Sequence, residues 1–530
     1  RVRKLTPVTD GPRVYFTEMP RLDRSVLVQV ASAGGEVAPL SVPLASVAAI
    51  DVSPDGSQIL VGGAREAVGT GQRLAELWMV PVVGGAARRL GTLAGTGAAW
   101  SPDGSRIAYT VERDLRIASA DGSGSSTVWT AGALVSYPAW SPDGRRLRVT
   151  VTDPSGERDS LWEVGADGRN PHALLSGFPY LACCGRFTGN GDDFVFQVSG
   201  VATVDLWLLP EGPAWPPWRR RSPTRLTHGP LDFFGPVPSR DGRGLFALGT
   251  RRSGELVRYD ARAGQFLPWL GGPSIVGLDF SADGRWVTYV GLPDGILWRA
   301  RADLSDRRQL TFPPRLAALP RFSPDGSRIA FSSTSPGEPS RIQVIAAEGG
   351  VPETVAPSDR SEVDVSWSPD GESLAFGLRV DLDRPDRPLT IEIVDLKTRR
   401  TAPVPGSERL FSPRWSPDGR CLAALSHDSR RLLLFDFQAG AWRELLSGEE
   451  LIAYPAWSRD GRHLFVNVGP SRFRVRVVDG LRNEVASFQE LRQANGPYGE
   501  WVGQGPDDSI LALRDTSIQE IFALEWEQAK

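Results

Sequence analysis

The chain has few of the residues on which metal sites, disulfide frameworks and many catalytic centres are built. Its 530 residues include three cysteines, four histidines and two methionines. Three cysteines cannot form a disulfide framework, and neither they nor the histidines stand at the spacing of zinc ligands. We therefore expect no metal ion and no cofactor.

Sequence motifs of enzyme active sites are also missing. The chain has no Gly-x-Ser-x-Gly elbow, no phosphate-binding loop, no dinucleotide-binding glycine pattern and no His-Glu-x-x-His. The segment DLDRPDRP at 381–388 has three aspartates but lacks the glycine and the distal glutamate of an EF-hand loop. We expect no catalytic residues, so the sequence predicts a protein that is not an enzyme.

Long apolar runs and excess charge are absent as well. No stretch of about 18 apolar residues occurs, so the sequence predicts no membrane-spanning helix. The net charge of −3 gives no general attraction to nucleic acid or anionic lipid. Because the chain begins with Arg1 rather than Met, we expect it to be part of a longer or processed protein.

What the chain does contain is one short motif in many copies. The first clear copy is AWSPDGSRIAYT at 99–110, and near copies begin at 139, 321, 366 and 414. In Ser-Pro-Asp-Gly the proline presets φ, the aspartate accepts backbone hydrogen bonds and the glycine tolerates positive φ, as a tight turn requires. The alternating apolar residues that follow predict a strand, so each copy is a β-hairpin.

The motif recurs at a period of about 40 to 50 residues. Its aspartate, or the equivalent asparagine, stands at Asp10, Asp55, Asp103, Asp143, Asn190, Asp241, Asp283, Asp325, Asp370, Asp418, Asp460 and Asp507. Such a period without long amphipathic helices indicates the four-stranded blades of a propeller. The sequence therefore predicts an all-β fold, a β-propeller of about twelve four-stranded antiparallel blades.

Twelve blades exceed the number that one ring usually holds, which is about four to eight. We expect two propellers of about six blades each, at 1–271 and 272–530, with a five-plus-seven division near Gly229 as the alternative. The last repeat has only three strands, and RKLT at 3–6 resembles a fourth. We expect residues 2–6 to complete the last blade, which would make one propeller discontinuous; a frayed basic tail is the alternative.

One segment departs from the repeat and carries the candidate binding residues. EGPAWPPWRRRSPTRLT at 211–227 lengthens the loop between the third and fourth strands of its blade. Its Trp215, Trp218, Arg219, Arg220 and Arg221 form an aromatic and basic patch of a kind enriched at binding hot spots. In the alternative, the two tryptophans cover the seam between the propellers and the arginines stay solvated.

The cysteines have expected roles in packing. Cys183 and Cys184 are neighbours and could form a vicinal disulfide, but we expect the more common reduced, packed pair. Cys421 stands where other repeats have Arg106 or Arg328 in the second strand, so we expect it to pack there.

The repeated WSPDG followed by IAF or LAF resembles the PD40 repeat of TolB-type propellers. Longer segments resemble the C-terminal half of CadC/ToxR-like transmembrane regulators: VLVQVASAGGEVAPL at 26, GPLDFFGPVPSRDG at 229, LFSPRWSPDGR at 410 and GEWVGQGPDDSILALRDTSIQEIFALEWE at 499. In that family an OmpR-type winged helix comes first, then one membrane helix, then the propeller region outside the cytoplasm.

This resemblance implies a sensor or interaction module on the periplasmic side of the inner membrane. It implies a protein partner or small ligand, no direct contact of this chain with nucleic acid, and a membrane tether only through a segment before Arg1. Two alternatives remain: a TolB-like periplasmic scaffold for protein interactions, and the propeller gate of a serine peptidase. The missing Gly-x-Ser-x-Gly elbow argues against the peptidase.

Overall fold

The computed structural model describes the chain from residue 3 to residue 525, with gaps. The gaps are 6, 22–23, 65–73, 154–158, 179, 201–202, 212–221, 241, 243, 272–273, 336–337, 357, 359, 379–388 and 497–498. All regular elements among the described residues are β-strands, which confirms the all-β prediction. No helix in this part of the chain has the length and apolar character needed to cross a membrane.

The chain forms two compact units, and the first is discontinuous. It comprises residues 1–251 and 518–530, while residues 252–517 form the second unit. These bounds differ from the expected 1–271 and 272–530 because residues 254–268 pair with strands of the second unit, and residues 518–525 pair with a strand of the first. The second unit is thus inserted into the first.

The first unit contains six antiparallel sheets, which we number as blades 1 to 6. Blade 1 consists of Arg3–Lys4, Val8–Thr9, Arg13–Arg21, Arg24–Ala31 and Ala38–Pro39. The strands of blades 2 and 3 are Ser46–Val52, Gln58–Ala64, Ala75–Pro81 and Arg88–Gly95, then Gly97–Trp100, Arg106–Val111, Asp114–Ser119 and Ser126–Thr130. Blade 4 consists of Leu134–Trp140, Arg146–Thr152, Asp159–Gly165 and His172–Ala173. Blade 5 consists of Leu181–Phe187, Asp193–Ser199, Val204–Pro210 and Thr224–Arg225. Blade 6 consists of Asp232–Pro238, Gly244–Arg251 and Ile518–Glu525.

The second unit also contains six blades, which we number 7 to 12. Blades 7 and 8 consist of Ile275–Phe280, Trp286–Gly291, Leu297–Arg301 and Arg308–Gln309, then Leu316–Phe322, Arg328–Thr334, Arg341–Ala346 and Glu353–Thr354. Blades 9 and 10 consist of Glu362–Trp367, Ser373–Leu378, Thr390–Asp395 and Thr401–Pro403, then Leu410–Trp415, Cys421–Ser426, Arg431–Asp436 and Ala441–Ser447. Blade 11 consists of Ile452–Trp457, His463–Val468, Ser471–Arg476 and Arg482–Ser487. Blade 12 consists of Val502–Gln504, Ile510–Asp515, Gly254–Asp260 and Gln265–Pro268. In the sequence, a hairpin of Asn495–Gly496 and Gly499–Glu500 precedes Val502–Gln504.

Each ring is completed by strands from a distant part of the chain, one in the first propeller and two in the second. In blade 6 the third strand is Ile518–Glu525, which pairs with Gly244–Arg251. In blade 12 the third and fourth strands are Gly254–Asp260 and Gln265–Pro268. Such pairing covers strand edges that would otherwise be exposed.

The N-terminal strand does not complete the last blade, contrary to our expectation. Arg3 and Lys4 pair with Met19 and Glu18, so they belong to the innermost strand of blade 1. A short basic-apolar pattern such as RKLT cannot show which sheet it joins, because that choice depends on contacts distant in sequence.

The Ser-Pro-Asp-Gly segments form the predicted turns. In the copy at 101–104, Ser101 Oγ donates to Asp103 Oδ1 at 2.6 Å and accepts the backbone N–H of Arg106 at 2.9 Å. The Asp103 carboxylate also accepts the N–H of Ser105 at 3.0 Å, and Gly104 has a φ of 71°. The hydrogen bond from Ser101, followed by those from Ser105, lowers the pKa of Asp103 to about 2. The repeated aspartate therefore has the structural role that the sequence indicated.

In three copies the tryptophan before the turn joins neighbouring blades: Trp140, Trp367 and Trp457. Trp140 of blade 4 donates its indole N–H to the carbonyl of Ala99 in blade 3 at 3.3 Å, and Arg106 of blade 3 lies 4.8 Å from the Trp140 ring centre. In the second propeller Trp367 donates in the same way to the carbonyl of Arg321 at 3.0 Å. The motif thus forms a turn within one blade and a contact between two blades.

Candidate functional site: the channel of the second propeller

The first strands of the blades surround the axis of each propeller, and in the second propeller they carry a repeated irregularity. Blades 7 to 11 each have a shift of register within the first strand, as between Ala318 and Arg321 of blade 8. The shift leaves one residue in the left-handed region: Gly277, Leu319, Asp364, Ser412 and Tyr454, with φ between 50° and 64°. This conformation costs a non-glycine residue about 1 kcal/mol or more. Such bulges redirect a side chain, often beside a functional site.

Several of these residues meet in one narrow, apolar pocket. Its walls are Val276, Gly277, Val290, Ala317, Ala318, Leu319, Tyr454, Gly496, Gly499 and Trp501. Leu319 belongs to blade 8 and Tyr454 to blade 11, so the pocket joins blades that are not neighbours in the ring. It therefore lies at the channel.

An ion pair lies in the same layer of the channel. Arg414 Nη1 is 2.9 Å from Asp364 Oδ1, and Ser412 Oγ donates to Asp364 Oδ2 at 2.6 Å. Arg414 Nε also donates to the carbonyl of Pro455 at 3.1 Å, which links blades 10 and 11. Burial disfavours the Asp364 carboxylate, but the charges of Arg414 and Arg321 outweigh burial and lower its pKa.

Two further charged side chains complete the cluster. Asp279 accepts the backbone N–H of Phe322 at 2.8 Å, and burial raises the pKa of its carboxyl. Arg321 donates to the carbonyl of Pro320 at 3.3 Å and forms no ion pair with any carboxylate of the described residues. Burial and the charge of Arg414 lower the pKa of Arg321, while the charges of Asp279 and Asp364 oppose this shift without reversing it. Desolvated charges are costly unless they are paired, so a channel with one arginine outside an ion pair is suited to receive a polar ligand group.

The first propeller has bulges of the same kind at Tyr137, Cys184 and Gly235, with φ between 51° and 58°. The structure joins Cys183 to Cys184 by a disulfide, so the expected reduced pair is wrong. The N–H of Cys184 donates to Thr150 Oγ1 of blade 4 at 3.1 Å. Cys421 is a free, half-buried thiol in the second strand of blade 10, and burial raises its pKa.

The residues that the sequence singled out lie outside the described part of the chain. Trp215, Trp218, Arg219, Arg220 and Arg221 fall within 212–221. The strands on either side, Val204–Pro210 and Thr224–Arg225, are the third and fourth of blade 5, so the long loop joins the strands that we expected. Binding by this patch stays a prediction.

Sequence reasoning missed the channel residues, although a signal was present. Asp279, Arg321 and Arg414 each come directly before the aromatic residue of the repeat, and Asp364 stands three positions before Trp367. Most other copies have a small or apolar residue at these two positions, as in blade 4 with Ala139. Among the described residues no group of three histidine, cysteine or acidic side chains could hold a metal ion.

Comparison with known proteins gives limited likenesses. No protein-family model matches the chain. The chain is 33% identical over 113 residues to the uncharacterized peptidase YuxL of Bacillus subtilis (strain 168), a match that covers 20% of this chain and only 17% of that protein. It is similar to the structure of a putative TolB from Agrobacterium tumefaciens, with 16% identity and a TM-score of 0.41 over 50% of this chain and 98% of that one. It is also similar to the tricorn protease, with 13% identity and a TM-score of 0.35 over 90% of this chain and 50% of that one.

Proposed function

We propose that the chain is a non-enzymatic propeller module that binds a protein segment or a small ligand in the channel of its second propeller. The observation that supports this is the convergence of an apolar pocket and four desolvated charges at one channel. The pocket between Leu319 and Tyr454 suits an apolar group. The neighbouring Arg321, which lies outside any ion pair with a described carboxylate, suits a polar one.

A ligand-stabilisation experiment tests the channel. A library of tripeptides and acylated amino acids is screened by thermal unfolding against the wild type, against Leu319→Arg, which blocks the pocket, and against Leu451→Arg. Leu451 is 61% exposed and lies outside the pocket, so it is the matched control. Compounds that stabilise the wild type and the control but not Leu319→Arg support the proposal. Compounds that stabilise all three proteins equally contradict it.

The biological setting that we propose is the outer part of a membrane-bound transcriptional regulator. It rests on the resemblance of segments such as those at 26, 229 and 499 to CadC/ToxR-like proteins. Binding in the channel would bias the arrangement of protomers and thereby reach a DNA-binding part on the other side of the membrane. The test is the gene sequence upstream of Arg1. A winged-helix pattern followed by about 20 apolar residues supports this setting, whereas a signal peptide directly before Arg1 favours a free periplasmic scaffold.

A peptidase-associated role is the second candidate, and one observation favours it. The match to YuxL covers only a fifth of this chain, but it is to a protein named as a peptidase. The purified chain is incubated with fluorogenic dipeptide and tripeptide substrates, with and without a serine-directed inhibitor. We expect no cleavage, and inhibitor-sensitive cleavage would overturn the non-enzymatic proposal.

A further inference from the structure

Arg472 occupies a position that is apolar in the neighbouring blades. The pairing of the second strand with the third shows which residue of each of the four preceding blades occupies the same position in the third strand. The residues at this position in blades 7 to 11 are Leu297, Ile342, Ile391, Leu432 and Arg472. All five side chains are at most 1% exposed. Blade 11 therefore has an arginine where the repeat has leucine or isoleucine.

The guanidinium is poorly compensated at this position. Arg472 Nη1 donates to the carbonyl of Tyr454 at 2.7 Å and to Asn467 Oδ1 at 3.0 Å. Its Nε is buried without a hydrogen-bond partner, and it forms no ion pair with a described carboxylate. Burial alone lowers the pKa of Arg472 to about 9. A buried charge without an ion pair is costly, so its presence in place of leucine calls for a functional reason.

The hydrogen-bond acceptor of Arg472 belongs to the channel site. Tyr454 is the bulge residue of blade 11, with a φ of 51°, and it forms part of the pocket wall. The register of the first two strands is interrupted between Ala453 and Ala456, so the Tyr454 carbonyl lies outside the regular ladder. A carbonyl so placed needs another donor, and a charged donor gives a stronger bond than a neutral one.

We propose that Arg472 is a positioning residue of the channel site: by donating to the Tyr454 carbonyl, it fixes the backbone from which the Tyr454 ring reaches the pocket. This proposal rests on the proposed function, because it assigns Arg472 the role of positioning a residue of the proposed binding site. Blade 10 shows that the blade itself does not need this arginine. There the equivalents of Asn467 and Arg472 are Leu425 and Leu432, which are both buried.

The test replaces the polar pair by the apolar pair of blade 10. The double variant Asn467→Leu/Arg472→Leu is labelled with 3-fluorotyrosine, and its ¹⁹F spectrum is compared with that of the wild type. The chain has eight tyrosines, and Tyr454→Phe identifies the signal of Tyr454. In the wild type, burial raises the pKa of Tyr454 well above its ordinary value, so the phenol resists ionisation.

We expect the double variant to be at least as stable as the wild type, since an apolar pair replaces an unpaired charge. We expect its Tyr454 signal to shift and the phenol to ionise nearer to the ordinary value for tyrosine. Arg472→Lys, which retains a charged donor, should restore most of the wild-type signal. A purely structural role would instead lower stability and leave the Tyr454 signal unchanged in the folded protein. An unchanged signal and ionisation therefore overturn the proposal.

If the double variant fails to fold, two single variants make the same comparison. Arg472→Gln retains an amide donor, whereas Arg472→Met has none, and only the second should shift the Tyr454 signal. Identical spectra for the two variants contradict the proposal. The fluorine readout needs no ligand, so it decides the role of Arg472 even if the channel binds none of the compounds in the library.

Discussion

Arg186 reaches across the channel of the first propeller to Asp51. Its Nη1 lies 3.2 Å from Asp51 Oδ1, and its Nη2 donates to the carbonyl of Ile50 at 2.7 Å. Arg186 belongs to the first strand of blade 5 and Asp51 to that of blade 2, so the pair joins blades on different sides of the ring. Asp51 Oδ2 also accepts the backbone N–H of Trp100 in blade 3 at 2.9 Å. One carboxylate thus connects three blades.

We predict that this ion pair stabilises the first propeller measurably. The side chains of Arg186 and Asp51 are 28% and 18% exposed, so solvent screens the pair only in part. A double-mutant cycle with Asp51→Asn and Arg186→Met should give a coupling energy of about 1–2 kcal/mol in thermal or urea unfolding.

The pair of Asp167 and Arg169 is the matched control. These side chains are 62% and 83% exposed, and exposed ion pairs contribute little. The cycle with Asp167→Asn and Arg169→Met should therefore give a coupling energy near zero. Equal coupling energies in the two cycles would mean that the cross-channel pair adds nothing beyond a surface contact.

The sequence predicted the blades well because their determinants are local. A turn of serine, proline, aspartate and glycine specifies its own hydrogen bonds, as Ser101 and Asp103 show. Ring closure was predicted less well, because the pairing of Arg251 with Ile518 joins residues far apart in sequence, and neither strand carries a mark of its partner. The channel was missed for the same reason. Asp364 and Arg414 differ from the small residues of most other repeats, but they form a site only when blades 9 and 10 are adjacent.

We predict that the oxidised chain has one free thiol. Cys183 and Cys184 are disulfide-bonded and Cys421 is free. Denatured protein should therefore react with one equivalent of a thiol reagent before reduction and with three after it. In the control Cys421→Ser, these numbers should be zero and two. Three reactive thiols in unreduced, freshly purified protein would contradict the disulfide.

We predict unequal roles for the two serines of a turn. Ser101 is fully buried, and its hydroxyl both donates to Asp103 and accepts the N–H of Arg106. Ser101→Ala leaves that N–H without its side-chain partner and should lower the free energy of unfolding by about 1–2 kcal/mol. Ser105 donates to the same carboxylate at 2.8 Å from an exposed position, so Ser105→Ala should cost less than about 0.5 kcal/mol. Chemical denaturation of both variants checks the difference, and equal losses would refute it.

We predict that Glu362 makes the stability of the second propeller depend on pH. Its side chain is fully buried, and Oε2 accepts the N–H of Ile342 at 2.9 Å while Oε1 is buried without a hydrogen-bond partner. Burial raises the pKa of Glu362 from 4.5 to about 7; the hydrogen bond from Ile342 and the charge of Arg341 oppose the shift, and Glu392 reinforces it. Between these two values the folded state holds a proton that the unfolded state has lost. The free energy of unfolding should therefore fall as the pH rises from about 5 to 8, by on the order of 2–3 kcal/mol.

Glu362→Gln should remove most of this dependence, because an amide cannot ionise and its oxygen can still accept the N–H of Ile342. The variant should be more stable than the wild type above pH 7, by up to the same 2–3 kcal/mol. Glu372→Gln is the control, since Glu372 is exposed and should leave the slope unchanged. Urea denaturation at a series of pH values measures all three proteins. If Glu362→Gln and the wild type lose stability in parallel from pH 5 to pH 8, the buried carboxyl of Glu362 is not the source of the dependence.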